Sequence, residues 1–242
     1  MPSKICPGSP DLRELKLISV IIPTLNEESC IENCINSVGL RHGIEILVVD
    51  GGSNDCTVQI VERLGCKILV ERPNRAAQMN LGAKKASGDV FLFLHADTAL
   101  PEHWPEEVFQ VFEKSDVVCG AFSLSIFGNS VGLRFVEKLA NFRSRIFQLP
   151  YGDQALFLRK KTYEEIAGFP EYLIMEDFEF VNRLKKLGKI YISRLSVKTS
   201  DRRWKKLGVL WTTLVNQIMI IGYWLGFSDK NLRKIYDFWL DK

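Results

Sequence analysis

The sequence has no CxxC pair and no His-rich segment beside its cysteines. Cys6, Cys30, Cys34, Cys56, Cys66 and Cys119 therefore lack zinc-ligand spacing and read as reduced thiols. It has no long basic arm either: a formal charge of +3 is spread over interleaved Lys, Arg, Asp and Glu, so no nucleic-acid partner is expected and any basic patch is local. No GxGxxG follows the first apolar strand, which argues against a dinucleotide-binding enzyme. Residues 1–16 hold no apolar stretch of secretory-signal length and read as a flexible N-terminus of a cytoplasmic protein. Linkers, repeats and low-complexity segments are missing, so one domain over residues 1–242 is expected.

Long hydrophobic runs are scarce, and one needs weighing. Gly208 to Phe227, "GVLWTTLVNQIMIIGYWLGF", approaches bilayer-spanning length, yet Thr212, Thr213, Asn216 and Gln217 sit at its centre, where polar groups are costly in lipid without partners. A packed or membrane-lying helix is expected, within C-terminal helices over residues 204–240. Arg202, Arg203, Lys205 and Lys206 ahead of it suit an anionic membrane surface or an anionic ligand.

What is present is a regular alternation. "LISVIIPT", a helix from about Ser29, "EILVVD", a helix after Asn54, "KILVE", a helix near Ala76 and "VFLFLHAD" follow one another. Continuous apolar strands separated by helices predict an α/β fold with a mostly parallel central sheet covered on both faces. The second half adds "VVCGAFSLSIF", an amphipathic stretch from Val131 to Phe147, "QALFLRK", a helix after Glu176 and "KIYISR".

Ligands of such sheets bind beyond the carboxyl ends of the strands, so the polar residues just after each apolar run carry the information. Asp50 follows "EILVV" and precedes Gly51 and Gly52. It suits hydrogen bonds from a base or ribose, or an Asx turn with Ser53 or Asp55 as a helix cap, and the two readings are compatible. Arg75, Gln78 and Asn80 open a helix where guanidinium and amide groups suit an anionic or ribosyl ligand. Asp97 suits a hard divalent cation, and His95, alternating with it on an extended segment, is expected on the same side. Glu176 and Asp177 stand just ahead of a helix, where position alone reads as capping; a general base there needs a nearby acceptor hydroxyl.

The segments "VIIPTLNEE", "VVDGGSNDCT", "NRAAQMN", "HADT", "GDQALF", "MEDFEF" and "DRRW" stand in the order found in family 2 glycosyltransferases of the GT-A fold. The chain resembles that family from Leu17 to Leu240, and more narrowly its small bacterial radical-SAM/selenodomain-associated transferase 2 group. The resemblance implies inverting, metal-dependent transfer of a sugar from a nucleotide diphosphate donor, a UDP-sugar, to an acceptor hydroxyl, with Mn²⁺ or Mg²⁺ as cofactor. It implies that Pro23, Thr24, Glu27, Asp50, Ser53 and Asp55 line the nucleotide pocket, with Asp50 reading the base and Arg75 and His95 near the donor. Asp97 would bind the metal, Arg203 would add positive charge at the diphosphate, and Trp204 would face the transferred sugar. Asp177 would be the base, with Glu176 its partner and Asp153 and Glu176 bracketing the acceptor.

Two departures qualify the match. His95 stands where the family's DxD element has its first acid, and Ser200 stands where a QxxRW element would have Gln, so a single transfer rather than polymer synthesis is expected. Acceptors range from lipid alcohols to small metabolites, with contact to the inner face of a membrane through the C-terminal helix left open. Two alternatives remain. A sugar nucleotidyltransferase would place a Gly-rich basic loop where "PTLNEE" stands. A non-catalytic nucleotide-sugar-binding protein would be favoured by loss of Asp97 or Asp177, and both are present.

Overall fold

Strand and helix alternate from the first described residue. A computed structural model describes residues 17–240, and the segment 1–16, expected to be flexible, lies outside the described residues. The first half comprises β1 (Ile18–Thr24), α1 (Ile31–Val38), β2 (Ile44–Asp50), α2 (Thr57–Arg63), β3 (Lys67–Val70), α3 (Arg75–Lys85) and β4 (Val90–Phe93). β1 pairs in parallel with β2 and β4, and β2 with β3. Every residue of β1 is buried, because successive side chains point to opposite faces and a helix covers each. Ile18, Val20 and Ile22 pack with Ile31, Ile35 and Val38 of α1, while Ile21 packs with Leu47, Val49 and Met79.

Helix α3 sits so close to the sheet that a Cβ on Gly82 would lie 2.4 Å from Ile21 Cγ2. Glycine permits that approach, which carries Arg75, the first residue of α3, over the carboxyl ends of the strands. Asn74 caps the helix by accepting the Ala77 N–H at 2.8 Å.

The second half comprises β5 (Thr98–Ala99), α4 (Trp104–Phe112), β6 (Val117–Ile126), α5 (Val131–Phe147), a 3₁₀ turn (Gly152–Gln154), β7 (Phe157–Arg159), α6 (Lys160–Glu165), α7 (Glu176–Leu184), β8 (Lys189–Thr199), α8 (Arg202–Leu207), α9 (Val209–Trp224) and α10 (Asp229–Leu240). All strands join one sheet in the order β3-β2-β1-β4-β7-β6-β8-β5. The expected parallel pattern holds from β3 to β4, and β6 pairs in parallel with β8. β7 runs antiparallel to both β4 and β6, and β5 antiparallel to β8. Phe93, Tyr163, Phe169 and Phe180 form an aromatic cluster, with Phe169 and Phe180 stacked at 3.7 Å between centroids. That stack anchors α7, whose first two residues are Glu176 and Asp177.

The long apolar run divides. Gly208 (φ +81°) and Gly226 (φ +79°) bracket α9, and no described helix is long and apolar enough to cross a membrane. Three of its four central polar groups have partners, and the fourth, Gln217, is exposed: Thr212 and Thr213 donate to the carbonyls of Gly208 and Val209, and Asn216 Oδ1 accepts from Arg203 Nη2 at 2.8 Å. The C-terminal helices begin at Arg202, two residues before the expected start.

Candidate active site

The loops leaving β1 and β2 lock one another. Asn26, at φ +55°, accepts the Asn54 N–H on Oδ1, and its own N–H donates to Ser53 Oγ. Glu27 N–H donates to Thr57 Oγ1 at 2.8 Å, and Glu28 N–H donates to Asp55 Oδ2 at 3.1 Å. Asp50 is buried and turned into its own loop: Oδ2 accepts from the Gly52 and Ser53 N–H groups, and Oδ1 from Ser53 Oγ and Thr24 Oγ1. Asp50, Ser53 and Asp55 line neither cavity at this end of the sheet; they hold the rim. The Asx-turn reading thus accounts for all of Asp50's acceptor positions near the chain.

Two adjoining cavities, of about 330 and 360 Å³, open beyond the strand ends, and Arg75, Ile174, Glu176 and Tyr236 line both. The β1-side cavity is faced by Pro23, Thr24, Glu27 and Gln78. Gln78 lines it but spends its amide on the sheet, donating to Thr24 O at 2.8 Å and Val49 O at 2.7 Å. Asn80 is a structural clip rather than a ligand contact. It donates to Phe169 O and accepts from Tyr163 Oη and Phe169 N, because α3 turns it toward the loop that carries Gly168 at φ +71°.

The α7-side cavity gathers His95, Asp97, Asp153 and Asp177. His95 and Asp97 share it for a reason other than strand alternation. β4 ends at Phe93, and a tight turn closed by Thr98 N–H to His95 O (3.0 Å) presents both side chains. Burial, together with the nearby Arg75 guanidinium, lowers the His95 pKa to about 4, so its imidazole is neutral at physiological pH. Arg202 Nη2 bridges Glu27 Oε2 (2.6 Å) and Asp97 Oδ2 (3.4 Å), joining the two cavities. Burial raises the Glu27 pKa against the pull of Arg202.

Glu176 and Asp177 do not cap α7. Met175 occupies the cap position in the left-handed region (φ +67°) without a side-chain cap bond. The two acids therefore fall in the first turn and point into the site. Glu176 is buried against Arg75 Nη1 at 3.3 Å; burial raises its pKa, Arg75 opposes the rise and Asp177 adds to it. Asp177 Oδ2 accepts the Gly152 N–H at 2.8 Å and Oδ1 accepts the Phe178 N–H at 2.7 Å.

Gly152 is held by Gln154, whose amide donates to Phe122 O and whose Oε1 accepts from Ser144 Oγ and Tyr151 N. A Cβ on Gly152 would lie 2.8 Å from His95 Nε2 and 3.3 Å from Asp177 Oδ2, so only glycine leaves these two groups side by side. Asp153 Oδ1 is buried without a hydrogen-bond partner among the described residues. Burial, opposed by Arg143 and reinforced by Asp177, pushes its pKa up to about 6.

Arg203 and Trp204 line the same cavity, and Arg203 Nε is also buried without a described partner. Unmatched atoms of opposite charge in one cavity suit a polar ligand between them. Sequence reading passed over Tyr151 and Tyr236, and took Asn216 only as a polar group within the long apolar run; all three line this cavity. Arg202 was read only as one of four bases suiting an anionic surface or ligand, and its bridge between Glu27 and Asp97 was not foreseen. Among the described residues no three His, Cys, Asp or Glu side chains cluster as a metal cage. Asp97 beside a neutral imidazole fits a hard cation that takes its remaining oxygens from a ligand's phosphates.

Comparison with known proteins identifies the family. The sequence profile of glycosyl transferase family 2 matches residues 19–164. Glycosyltransferase AglE of Haloferax volcanii is 27% identical over 176 residues, 66% of this chain and 58% of AglE, so the chain spans little more than half of that relative. The mannosyltransferase PcManGT of Pyrobaculum calidifontis, solved with GDP-Man and Mn²⁺, superposes with a TM-score of 0.65 at 18% identity, covering 89% of this chain and 66% of that one. Glucosyl-3-phosphoglycerate synthase of Mycobacterium tuberculosis, solved with Mn²⁺, UDP and glucosyl-3-phosphoglycerate, gives 0.59 at 20% identity, covering 88% and 85%. With a GT-A-type sheet, an acid at the exit of β4 and an acid pair opening α7, the chain belongs to glycosyl transferase family 2.

Proposed function

We propose that this chain, folded as one domain, transfers a single sugar from a nucleoside diphosphate sugar, a UDP-sugar, to an acceptor hydroxyl with inversion at the anomeric carbon. The observation that carries the proposal is Asp177, fixed by the Gly152 N–H in a cavity that also holds Asp97. In the reaction, Asp177 takes the proton of the acceptor hydroxyl as its oxygen attacks the anomeric carbon from the face opposite the diphosphate. The bond from that carbon to the diphosphate oxygen breaks, and its electron pair leaves with the nucleoside diphosphate.

Arg75, Arg202 and Arg203 supply positive charge where the leaving group gains negative charge. Asp97 would hold a divalent cation, Mn²⁺ or Mg²⁺, that neutralises the diphosphate when bound. The β1-side cavity takes the nucleotide, Trp204 faces the sugar, and Asp153 with Glu176 grips the acceptor. The five described cysteines are free thiols, which suits a reducing, cytoplasmic compartment. Acceptors carried by lipid and small soluble alcohols are both compatible with the cavity, and α9 beside it suits contact with a membrane face.

The sugar nucleotidyltransferase alternative finds no Gly-rich basic loop after β1, where Glu27 and Glu28 stand. A screen of nucleotide sugars for Mn²⁺-dependent donor hydrolysis, read beside UDP calorimetry, tests the proposal. Asp177→Asn is expected to lower turnover by about 10²–10⁴-fold while UDP affinity stays unchanged. Wild-type turnover in that variant removes Asp177 as the base, and UDP binding without turnover of any donor favours a non-catalytic protein.

A further inference from the structure

Exposed apolar side chains cluster on α5. Val131, Phe135, Leu139, Phe142 and Ile146 recur every three or four residues, and all are between 47% and 84% exposed. Such spacing makes one stripe along a helix, opposite the buried Leu133, Ala140 and Ser144. The stripe presents an apolar area on the order of 500 Å², at the upper range of what soluble monomers leave in water. Helix α9 continues it. Val209 packs on Gly132, where a Cβ would lie 3.3 Å from Val209 Cγ1, so Val131 and Leu210, both over 80% exposed, flank one contact.

Charge indicates what covers this face. Lys138 is exposed on the border of the stripe and Lys206 is exposed just ahead of α9; Arg145, seven residues beyond Lys138 on the same border, is exposed although its Nη2 donates to Ser123 Oγ at 2.9 Å. Glu137, the one acid of α5, turns inward to the Ile126 N–H and Arg134, and α9 has no acid at all. A second copy laid on these helices therefore brings no carboxylate to meet the bases. An anionic bilayer surface meets both the apolar stripe and its basic border.

We infer that α5, extended by Leu210, lies in the headgroup interface of an anionic membrane. The same helix carries Arg143, which stacks on Tyr151 at 3.4 Å, and α9 carries Asn216; Tyr151 and Asn216 both line the α7-side cavity. Docking thus brings that cavity to the bilayer surface, where a lipid-borne hydroxyl can enter. That last step rests on the transfer reading, whereas docking itself does not.

Co-sedimentation with vesicles of phosphatidylcholine alone, and with phosphatidylglycerol added, tests the inference. The wild-type protein is expected to pellet with the anionic vesicles and to be released as salt is raised. Phe135→Ser/Phe142→Ser is expected to weaken binding by at least about tenfold, and Lys138→Glu to weaken binding to the anionic vesicles. Circular dichroism melts and Mn²⁺–UDP calorimetry on the double variant should match wild type. Wild-type protein left in the supernatant, a double variant that pellets like wild type, or a dimer that the double variant dissolves without any vesicle binding overturns the inference. Vesicle binding without UDP binding would instead overturn the transfer reading alone.

Discussion

Asp153→Asn should make the protein more stable and less active, and pH should expose why. Asp153 has a buried, unpartnered Oδ1, and its pKa stands at about 6 against an ordinary 3.8. Between those values the folded chain holds a proton that the unfolded chain has released. Stability therefore falls as pH rises through that window and stays at the lower level above it. About two pH units at 1.36 kcal/mol each bound the cost of the ionised group at roughly 3 kcal/mol. Asparagine keeps the shape and removes the charge, so at pH 8 the variant should gain up to that amount, or about 6–12 °C in Tm for a chain of this size. The gain should shrink below pH 6 and vanish near pH 4. Thermal melts of both proteins across pH 4–8.5 measure it, and transfer assays on the same samples should show lost activity where the stability gain is largest. A gain that does not change with pH, or destabilisation at pH 8, would refute the burial argument.

Other substitutions probe neighbouring groups. Asp97→Ala should weaken UDP binding at least about tenfold in the presence of Mn²⁺ and little without it, and calorimetry showing equal affinities would remove Asp97 from the cation site. Gly152→Ala places a methyl against His95 and Asp177; it should cost about 1–3 kcal/mol and lower kcat more than it raises the donor KM, an expectation that unchanged kcat would overturn. Asn80→Ala strips Phe169 and Tyr163 of three hydrogen bonds and should cost about 2–4 kcal/mol in urea unfolding, with catalysis retained in the folded fraction.

The strands were legible because β1, β2 and β4 are buried on both faces and need continuous apolar residues. Asp97 was legible as an acid that ends such a run. The polar residues around them were not, because their partners are backbone atoms far along the chain. Gln78 donates to carbonyls at positions 24 and 49, and Asn80 clips Phe169. A sequence displays donors without showing where they are spent. Glu176 and Asp177 looked like caps because the left-handed turn at Met175, which moves both acids into the first helical turn, leaves no compositional mark. Arg202 and Arg203 are adjacent, yet a helix turns successive side chains apart. One therefore reaches Asp97 and the other Asn216.

The antiparallel pairing of β4 with β7 has a consequence for the chemistry. The turn that carries Asp97 leaves β4 at the same sheet end where the turn that carries Gly152 and Asp153 enters β7, and Phe93 N–H donates to Leu156 O across the junction at 2.8 Å. The gap between Asp97 and Asp153, the acids proposed for the donor and acceptor sides, is therefore written in a short backbone ladder. Slipping that ladder by one residue would displace one acid by about 3.4 Å along the strand and reverse the facing of β7's side chains. Under the proposed reaction, the loops on the acceptor side are free to vary in length and sequence, while the spacing of Asp97 and Asp153 is kept by strand register.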